Sequence, residues 1–473
     1  MTRLNSRTNQ IMRINKLLLV LSAVGLSACS NTLDVPPTSS ISSEVAITDA
    51  VGARAALQGA YAGLQQAGLY GHDLVDWTEV LSDNARWVGT FDDYGDADQH
   101  LLRSDNFRAE TIWDDAYDEI NRVNQIIAQV PNLSDLETGE KNEILGEAYF
   151  LRALTFHDLV KLFGNTTTLG VALQLTPVAS AAEANEATRA TGAATYTQIL
   201  ADLAQAKQLI TAGRSQTRQA SLGAVSAIEA RVRLYQQDWA GAEAAAAAVE
   251  AMGYSLAPTF SDLFDATGSN TPEDIFRVTF TPTQAQSASF YYLPKALGGR
   301  YEVAPTTAID NTLRTTGIIA AFDPASAGNI ANYHPTDLRG QYSISRAGTR
   351  TYAAKFRNPA GDEDLHVIRL AEVILIRAEA LAMLNRVPEA IAEYNRLRVR
   401  AGLAPDPTTL TQAEALAAIA RERRLELAFE GDRWPDMIRT NTGLTNIPAA
   451  QTLLPIPQSE LDVSPNMEQN PGY

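Results

Sequence analysis

Residues 365–402, LHVIRLAEVILIRAEALAMLNRVPEAIAEYNRLRVRAG, decide the reading of the fold. In the first half, Ile368, Ala371, Leu375, Ala378 and Ala382 recur at helical spacing, and Leu370, Ile374 and Leu381 widen the stripe until two faces need covering. Asn385, Arg386 and Val387 break the pattern. Pro388 suits the first turn of a second helix, where its missing N–H would have no partner anyway, and Ala390, Tyr394, Leu397 and Ala401 form the second stripe. Small alanines at the crossing let the two helices approach closely. A wide-stripe pair of this kind has the look of a tetratricopeptide unit, which cannot bury its faces alone and stacks on others. An ordinary helical pair in a bundle is the alternative.

Working outward, residues 48–67 form the first predicted helix, capped by Thr48 or Asp49. Helical signals return at 111–130, 141–163, 193–212, 220–236 and 239–252, and Gly164 is a natural stop. The run ARVRLYQQDWAGA at 230–242 repeats the plan of the opening hairpin, which strengthens the helix-pair reading. Thr411 and Glu414 form a capping box for a helix running to Phe429, with Gly431 behind it. Two stretches lack this order. Residues 68–106 are rich in Gly, Asp and aromatics without a period. Between 258 and 364 the helices lapse, 275–280 alternates like a short strand, and Tyr291, Tyr292, Tyr301, Phe322, Tyr333 and Tyr342 are scattered among Gly, Pro and Thr. The fold class expected is mainly α, a tetratricopeptide-like scaffold of helix pairs with an irregular second subdomain containing short strands.

The 473 residues are 45% hydrophobic and 20% charged, as in an ordinary globular protein. A net charge of -17 argues against nucleic acid, whose phosphates need a basic face. The single cysteine, Cys29, excludes a disulfide framework within the chain. Arg3, Arg7, Arg13 and Lys16 precede the apolar run 17–26, too short for a permanent membrane span, and Leu26-Ser27-Ala28-Cys29 resembles a bacterial lipobox. The expected organisation is a lipoprotein signal peptide at 1–28, a lipid anchor on Cys29 with a leash to 47, and a body over 48–473. The body divides into a helical part at 48–257, the insertion at 258–364, and a helical part and tail at 365–473.

The lipobox, EAYFLRALTFHDLVKLFG at 147–164, RLAEVILIRAEALAMLN at 369–385, ERRLELAFEGDRWPDMIRT at 422–440 and LLPIPQSELDVSPNMEQNPGY at the end, in this order, resemble the SusD/RagB family over residues 29–473. Asp432, Pro435 and Met437 depart from the EGHRWFDLVR common in the family, within its variation. The resemblance implies an outer-membrane lipoprotein facing the cell exterior. It implies as partner a SusC-like TonB-dependent β-barrel transporter, over which the lipoprotein closes as a hinged lid. The implied ligand is an oligosaccharide or, for some members, a peptide. A helical-repeat scaffold for protein partners, with no small ligand, is the reading of a different class, and the long aromatic loops speak against it.

The family's ligand contacts fall in the loop after the first helix and in the insertion, here 68–106 and 281–342. Flat aromatic faces suit the C–H face of a sugar ring, and Asp, Asn and Arg suit its hydroxyls. Trp87 leads, with Asp83, Asn84 and Arg86 beside it, and Tyr291, Tyr292 and Tyr301 stand opposite. Trp77, among Val75, Val80 and Leu81, reads as packing inward. Asp92, Asp93, Asp96 and Asp98 offer oxygens to a Ca²⁺, without EF-hand spacing; a solvated acidic loop is the plainer reading. The five histidines lack metal-ligand spacing. Arg423, Arg424, Glu426, Glu430, Arg433 and Trp434 sit on one helix and its exit, which points to ion pairing and packing. No nucleophile elbow, phosphate loop or HExxH is present, and abundant carboxylates are not a glycosidase pair, so no enzyme is expected.

Overall fold

Asp49 begins the first helix of the described residues, α1 (Ala50–Gly63), by accepting the Gly52 N–H on its side chain at 2.8 Å. In the computed structural model the described residues are 47–178, 180, 183, 186–211, 217–264, 270–285, 288–314, 337–347, 350–445 and 447–473. The signal segment, Cys29 and its leash, Phe322 and Tyr333 lie outside them.

After α1 come α2 (Asp76–Leu81), β1 (Ala85–Trp87) and α3 (Asp92–Asp98). The supposedly patternless 68–106 is thus three short elements, each below the length at which a period shows. The long helices α4 (Phe107–Gln129), α5 (Thr138–Phe163) and α6 (Gly192–Leu209) pack side by side, followed by the pair α7 (Leu222–Tyr235) and α8 (Trp239–Ala251). The insertion holds β2 (Asp274–Val278), α9 (Ala288–Tyr292), β3 (Val303–Pro305), α10 (Thr307–Arg314), α11 (Leu338–Ser343), β4 (Ile344–Ala347) and β5 (Arg350–Ala353).

The opening hairpin is shorter than its sequence suggests. Leu365–Arg369 is a strand, β6, paired antiparallel with β2, and Ile368 lies opposite Phe276 rather than on a helical stripe. Valine and isoleucine favour the pleated backbone, β2 supplies partners for it, and Leu370 N–H bonds Glu273 O at 3.0 Å, so the helix starts only at Leu370. From there α12 (Leu370–Met383) and α13 (Val387–Arg400) form the expected pair, with α8 and α14 (Gln412–Glu426) against α12. Ala371, Ile374, Leu375, Ala378 and Leu381 are buried, which is why the stripe was wide. The chain closes with α15 (Arg433–Thr440) and α16 (Gln458–Val463). Helix pairs dominate, as the sequence indicates.

The Thr411–Glu414 capping box is present, but α14 stops at Glu426, and the turn through Phe429 (φ 67°) and Gly431 (φ 80°) redirects the chain. That turn is close-packed: a Cβ on Gly431 would stand 2.3 Å from Leu74 O, so the C-terminal motif is pressed against the start of the 68–106 loop.

The charged residues of that motif form a buried web. Arg369 reaches Glu273 at 2.9 Å, Glu426 at 2.6 Å and Glu430 at 2.8 Å, while Lys355 reaches Glu430 at 2.7 Å and Arg339 reaches Glu422 at 2.8 Å. Burial opposes the Glu430 carboxylate, yet Arg369 and Lys355 hold its pKa down at about 2. Arg423 pairs with Asp432 and Asp436, and Trp434 is fully buried. These residues hold the fold.

Candidate functional site

Two stretches separated by more than 200 residues meet through β1 and β3, antiparallel, with Ala85 opposite Pro305, Arg86 opposite Ala304 and Trp87 opposite Val303. Thr306 N–H extends the ribbon to Asn84 O at 2.9 Å, and Val88 N–H to Glu302 O at 2.8 Å. Each strand alone is too short to persist; together they join the loop after α1 to the insertion.

The ribbon is tied to the C-terminal motif by the residues around 83. Asp83 accepts from Arg433 Nε at 2.6 Å and Nη2 at 3.0 Å, and lies 3.2 Å from Arg424. Burial raises the Asp83 pKa, but Arg433 and Arg424 outweigh it and the net shift is downward. Asn84 is fully buried, donating to Glu79 at 3.1 Å and accepting from Arg424 Nε at 2.9 Å. Glu79, pushed up to about 7 by burial, also accepts Gly431 N–H at 3.0 Å. Asp83 and Asn84, read from the sequence as hydroxyl-binding groups, are thus engaged in a clasp to the C-terminal motif, Asn84 buried and Asp83 partly exposed.

Trp87 stands in an aromatic stack. Its ring lies 4.2 Å from that of Tyr94 at 19° and 6.0 Å from that of Phe91 at 23°, and Tyr94 continues to Tyr291 at 5.8 Å. Phe290 meets Tyr291 edge-on at 5.6 Å. Phe91 and Phe290 are each 38% exposed, whereas Trp87 and Tyr291 are half-buried and Tyr94 is buried. The outer rings of the cluster are the two phenylalanines, with the Arg300 guanidinium 5.2 Å over Phe91. Trp87 is the middle of the stack rather than its open face. Tyr292 is fully buried against Phe429 and Phe356, so it serves packing and not an external ligand. Tyr301 is half-exposed, with its hydroxyl donating to Thr351 O at 3.0 Å. Trp77 packs inward, fully buried, its Nε1 donating to Asp93 O at 3.3 Å.

Beneath the stack lies a group that the sequence did not announce. His72, Asp73 and Asp76 place one ligating atom each within 4.8 Å of one another, the one such metal-competent trio among the described residues. His72 Nδ1 bonds Asp73 and lies 3.3 Å from Asp76, Tyr94 hydroxyl donates to Asp76 at 3.2 Å, and Arg108 reaches Asp73 at 3.4 Å. With a guanidinium and an imidazole already among the carboxylates, the trio fits a self-neutralised knot better than a cation site. Burial pushes Asp76 up to about 6; burial also works against the His72 imidazolium, but Asp76 and Asp73 outweigh it and raise its pKa. The His72 ring supports Tyr291 edge-on at 4.9 Å.

The four aspartates of α3 do not gather for Ca²⁺. Asp93 turns to Arg108 at 2.6 Å, Asp98 accepts the Trp87 backbone N–H, and Asp92 and Asp96 act on Arg103. Phe91, Tyr94 and Arg300 were missed in the sequence because no period marks them; the crowding of aromatics in 87–94 was their only signal.

Residues 323–450, from the end of the insertion into the C-terminal helical part, match a model described as the SusD family, and residues 33–234 match one described as starch-binding associating with outer membrane. The chain belongs to the SusD/RagB family. Similarity to family members runs the whole length: SusD-like protein P2 of Formosa agariphila is 28% identical over 98% of this chain and 99% of that one. Starch-binding protein SusD of Bacteroides thetaiotaomicron is 34% identical over 127 residues, 24% of this chain and 22% of that one. Among solved structures, a SusD superfamily protein from Bacteroides thetaiotaomicron superposes with a TM-score of 0.77 at 21% identity, covering 90% of this chain and 100% of that one. A laminarin-binding SusD-like protein does so with a TM-score of 0.74 at 23% identity, covering 90% and 100%. At these identities the likeness is one of fold.

Proposed function

We propose that this protein is a surface lipoprotein, anchored through Cys29 in the outer membrane, that binds an oligosaccharide at the β1–β3 ribbon. It then delivers the ligand, as a hinged lid, to a SusC-like TonB-dependent barrel. The observation that carries the reading is the aromatic cluster of Phe91, Trp87, Tyr94, Tyr291 and Phe290, built where the two irregular stretches meet, with its outer rings open to solvent. Exposed rings held rigidly by their neighbours offer a flat apolar surface to sugar C–H groups at little cost in side-chain freedom. The names of relatives that bind starch and laminarin support the glycan reading over the peptide one.

The protein binds without turning its ligand over. Carboxylates near the platform are engaged: Asp83 by arginines, Glu302 by Arg300, Asp93 by Arg108. Anchoring beside the barrel raises the local concentration of captured ligand and allows individually weak contacts to suffice.

Calorimetric titration of the full-length chain in detergent with panels of oligosaccharides and of peptides tests this. One glycan class should bind and remain intact. Phe91→Ala should weaken that binding by about tenfold, about 1.4 kcal/mol, with unchanged unfolding, because Phe91 lies at the outer end of the stack. Hydrolysis products, or binding confined to peptides, would end the glycan-capture reading.

A further inference from the structure

This chain carries 55 acidic side chains against 38 basic ones, so a guanidinium has carboxylates to spare. Nearly every described lysine and arginine takes one. Others, such as Lys141, Arg189 and Arg357, are consumed by backbone carbonyls. Among the described residues, Arg86, Lys295, Arg346 and Arg350 meet neither a carboxylate at ion-pairing distance nor a carbonyl. These exceptions are not scattered. Arg86 is in β1, Lys295 is in the short turn at Lys295–Leu297 before β3, and Arg346 and Arg350 are on the β4–β5 hairpin, whose β5 packs against β3.

Two of them converge on Tyr301. The Arg350 guanidinium lies 5.2 Å from the centre of the Tyr301 ring, and the charges of Arg86 and Arg350 both reach the Tyr301 hydroxyl. Arg86 and Arg350 are exposed. Tyr301 is held in place by a left-handed backbone (φ 56°), by its N–H on Leu293 O at 2.8 Å and by its hydroxyl on Thr351 O. The neighbouring carboxylates do not close an ion pair with either guanidinium: Glu302 pairs with Arg300 at 2.5 Å, Asp92 and Asp96 act on Arg103, and Asp98, which accepts the Trp87 N–H, feels the Arg86 charge only from beyond ion-pairing distance. Successive residues of a strand face opposite ways, so Trp87 joins the aromatic stack while Arg86 goes to the other face of the same ribbon. A ligand crossing the ribbon meets rings on one side and, on the other, guanidiniums that close no ion pair among the described residues.

We infer that Arg86 and Arg350, set around Tyr301, form a subsite for an anionic substituent, and that the oligosaccharide this protein takes carries carboxylate or sulfate groups. The inference rests on the glycan-binding reading above and narrows it. Planar guanidinium forks match two oxygens of such a group at once, which an ammonium does not. The body as a whole is acidic and repels anions, so two exposed guanidiniums not closed into ion pairs set where a charged sugar can land.

The probes are oligogalacturonides for the carboxylate arm, sulfated galactan oligosaccharides for the sulfate arm, and neutral gluco- and galacto-oligosaccharides of equal length. Each is titrated calorimetrically into the full-length chain at 50 and 500 mM NaCl. Tighter binding of one acidic series than of the neutral ones by about tenfold or more is expected. That preference should shrink at high salt, as screening requires. In Arg86→Gln/Arg350→Gln the acidic ligand should weaken by about tenfold, equivalent to about 1.4 kcal/mol, while the double variant unfolds as wild type does. Neutral oligosaccharides binding as well as acidic ones, or acidic binding indifferent to both salt and the double substitution, would overturn the anionic subsite and leave glycan capture standing. Peptides binding where no glycan does would overturn glycan capture itself.

Discussion

Arg369 and Arg86 are the same residue in opposite circumstances. Arg369 is fully buried and spends its guanidinium on Glu273, Glu426 and Glu430, in a web that joins β2, β6 and the exit of α14. Arg86 is exposed and, among the described residues, has no carboxylate at ion-pairing distance, with Asp98 acting on it only from farther off. A buried charge without partners would be too costly to keep, so everything around Arg369 is arranged to satisfy it. An exposed charge can be left unpaired, at the expense only of the modest stability that a surface pair would give. The first arrangement specifies the fold. The second leaves interaction capacity for something outside the chain, which is why motif-rich stretches such as 422–440 say so little about the ligand.

The sharpest way to break this comparison is to truncate both arginines. Arg369→Ala removes the cation that bridges Glu273, Glu426 and Glu430, leaving Arg400 and Lys355 to offset three buried carboxylates, and should cost about 3–5 kcal/mol of unfolding free energy. Arg86→Ala should stay within about 0.5 kcal/mol of wild type. Urea unfolding of the full-length variants gives both numbers; similar values would show that the web is not what holds this part of the fold.

The joint between the two regions comes next. Asp83, Asn84 and Glu79 clasp the ribbon to Arg424, Arg433 and Gly431, and the clasp depends on backbones in near contact. Gly431→Ala places a methyl 2.3 Å from Leu74 O on a left-handed backbone and should cost about 1–3 kcal/mol. The same change at Gly139, at the start of α5, meets nothing within 4 Å and should be neutral or stabilising by up to about 1 kcal/mol. Equal effects at the two sites in thermal unfolding would mean that the α14–α15 turn yields easily and that the clasp is loose.

Most of the helical frame was legible because it is local. Stripes at 371–382 and 390–401, the Thr411–Glu414 box and the Asp49 cap are written within single turns of chain. The beginning of the hairpin was not. Residues 365–369 satisfy helical spacing and strand alternation alike, and the partner that decides, β2, is about 90 residues upstream. The site was legible as two regions, not as residues. Crowded aromatics near 87 marked the right ribbon, but whether Trp87 or Phe91 faces outward depends on Tyr94 and Tyr291 filling the inner side of the stack. Asn84 and Asp83 had the chemistry of sugar ligands, and only the approach of Arg424 and Arg433, some 340 residues later, ties them to the C-terminal motif.

The smallest effect expected is also the one that tests how the platform is supported. His72 sits under Tyr291 with its pKa raised: burial disfavours its charge, but Asp76 and Asp73 favour it more strongly. A raised histidine contributes stability that is fully present below its ordinary value near 6.5 and is lost as pH rises through the folded value. Asp76, pushed up to about 6, has the same sign: ionising it in the folded state costs stability as pH rises from 3.8 through about 6. His157, fully buried with Lys161 and Arg231 nearby, has its pKa pushed well down by burial and then by those charges, so its contribution is lost in the opposite sense, as pH falls below 6.5. Total stability therefore mixes the two slopes, and the difference between wild type and His72→Gln isolates the slope carried by His72 together with the Asp76 it acts on, leaving His157 out. The melting temperature of wild type should exceed that of His72→Gln most at pH 6, and the gap should close toward pH 8.5. A gap that ignores pH would mean that the ring supports Tyr291 by shape alone, with the imidazolium adding nothing.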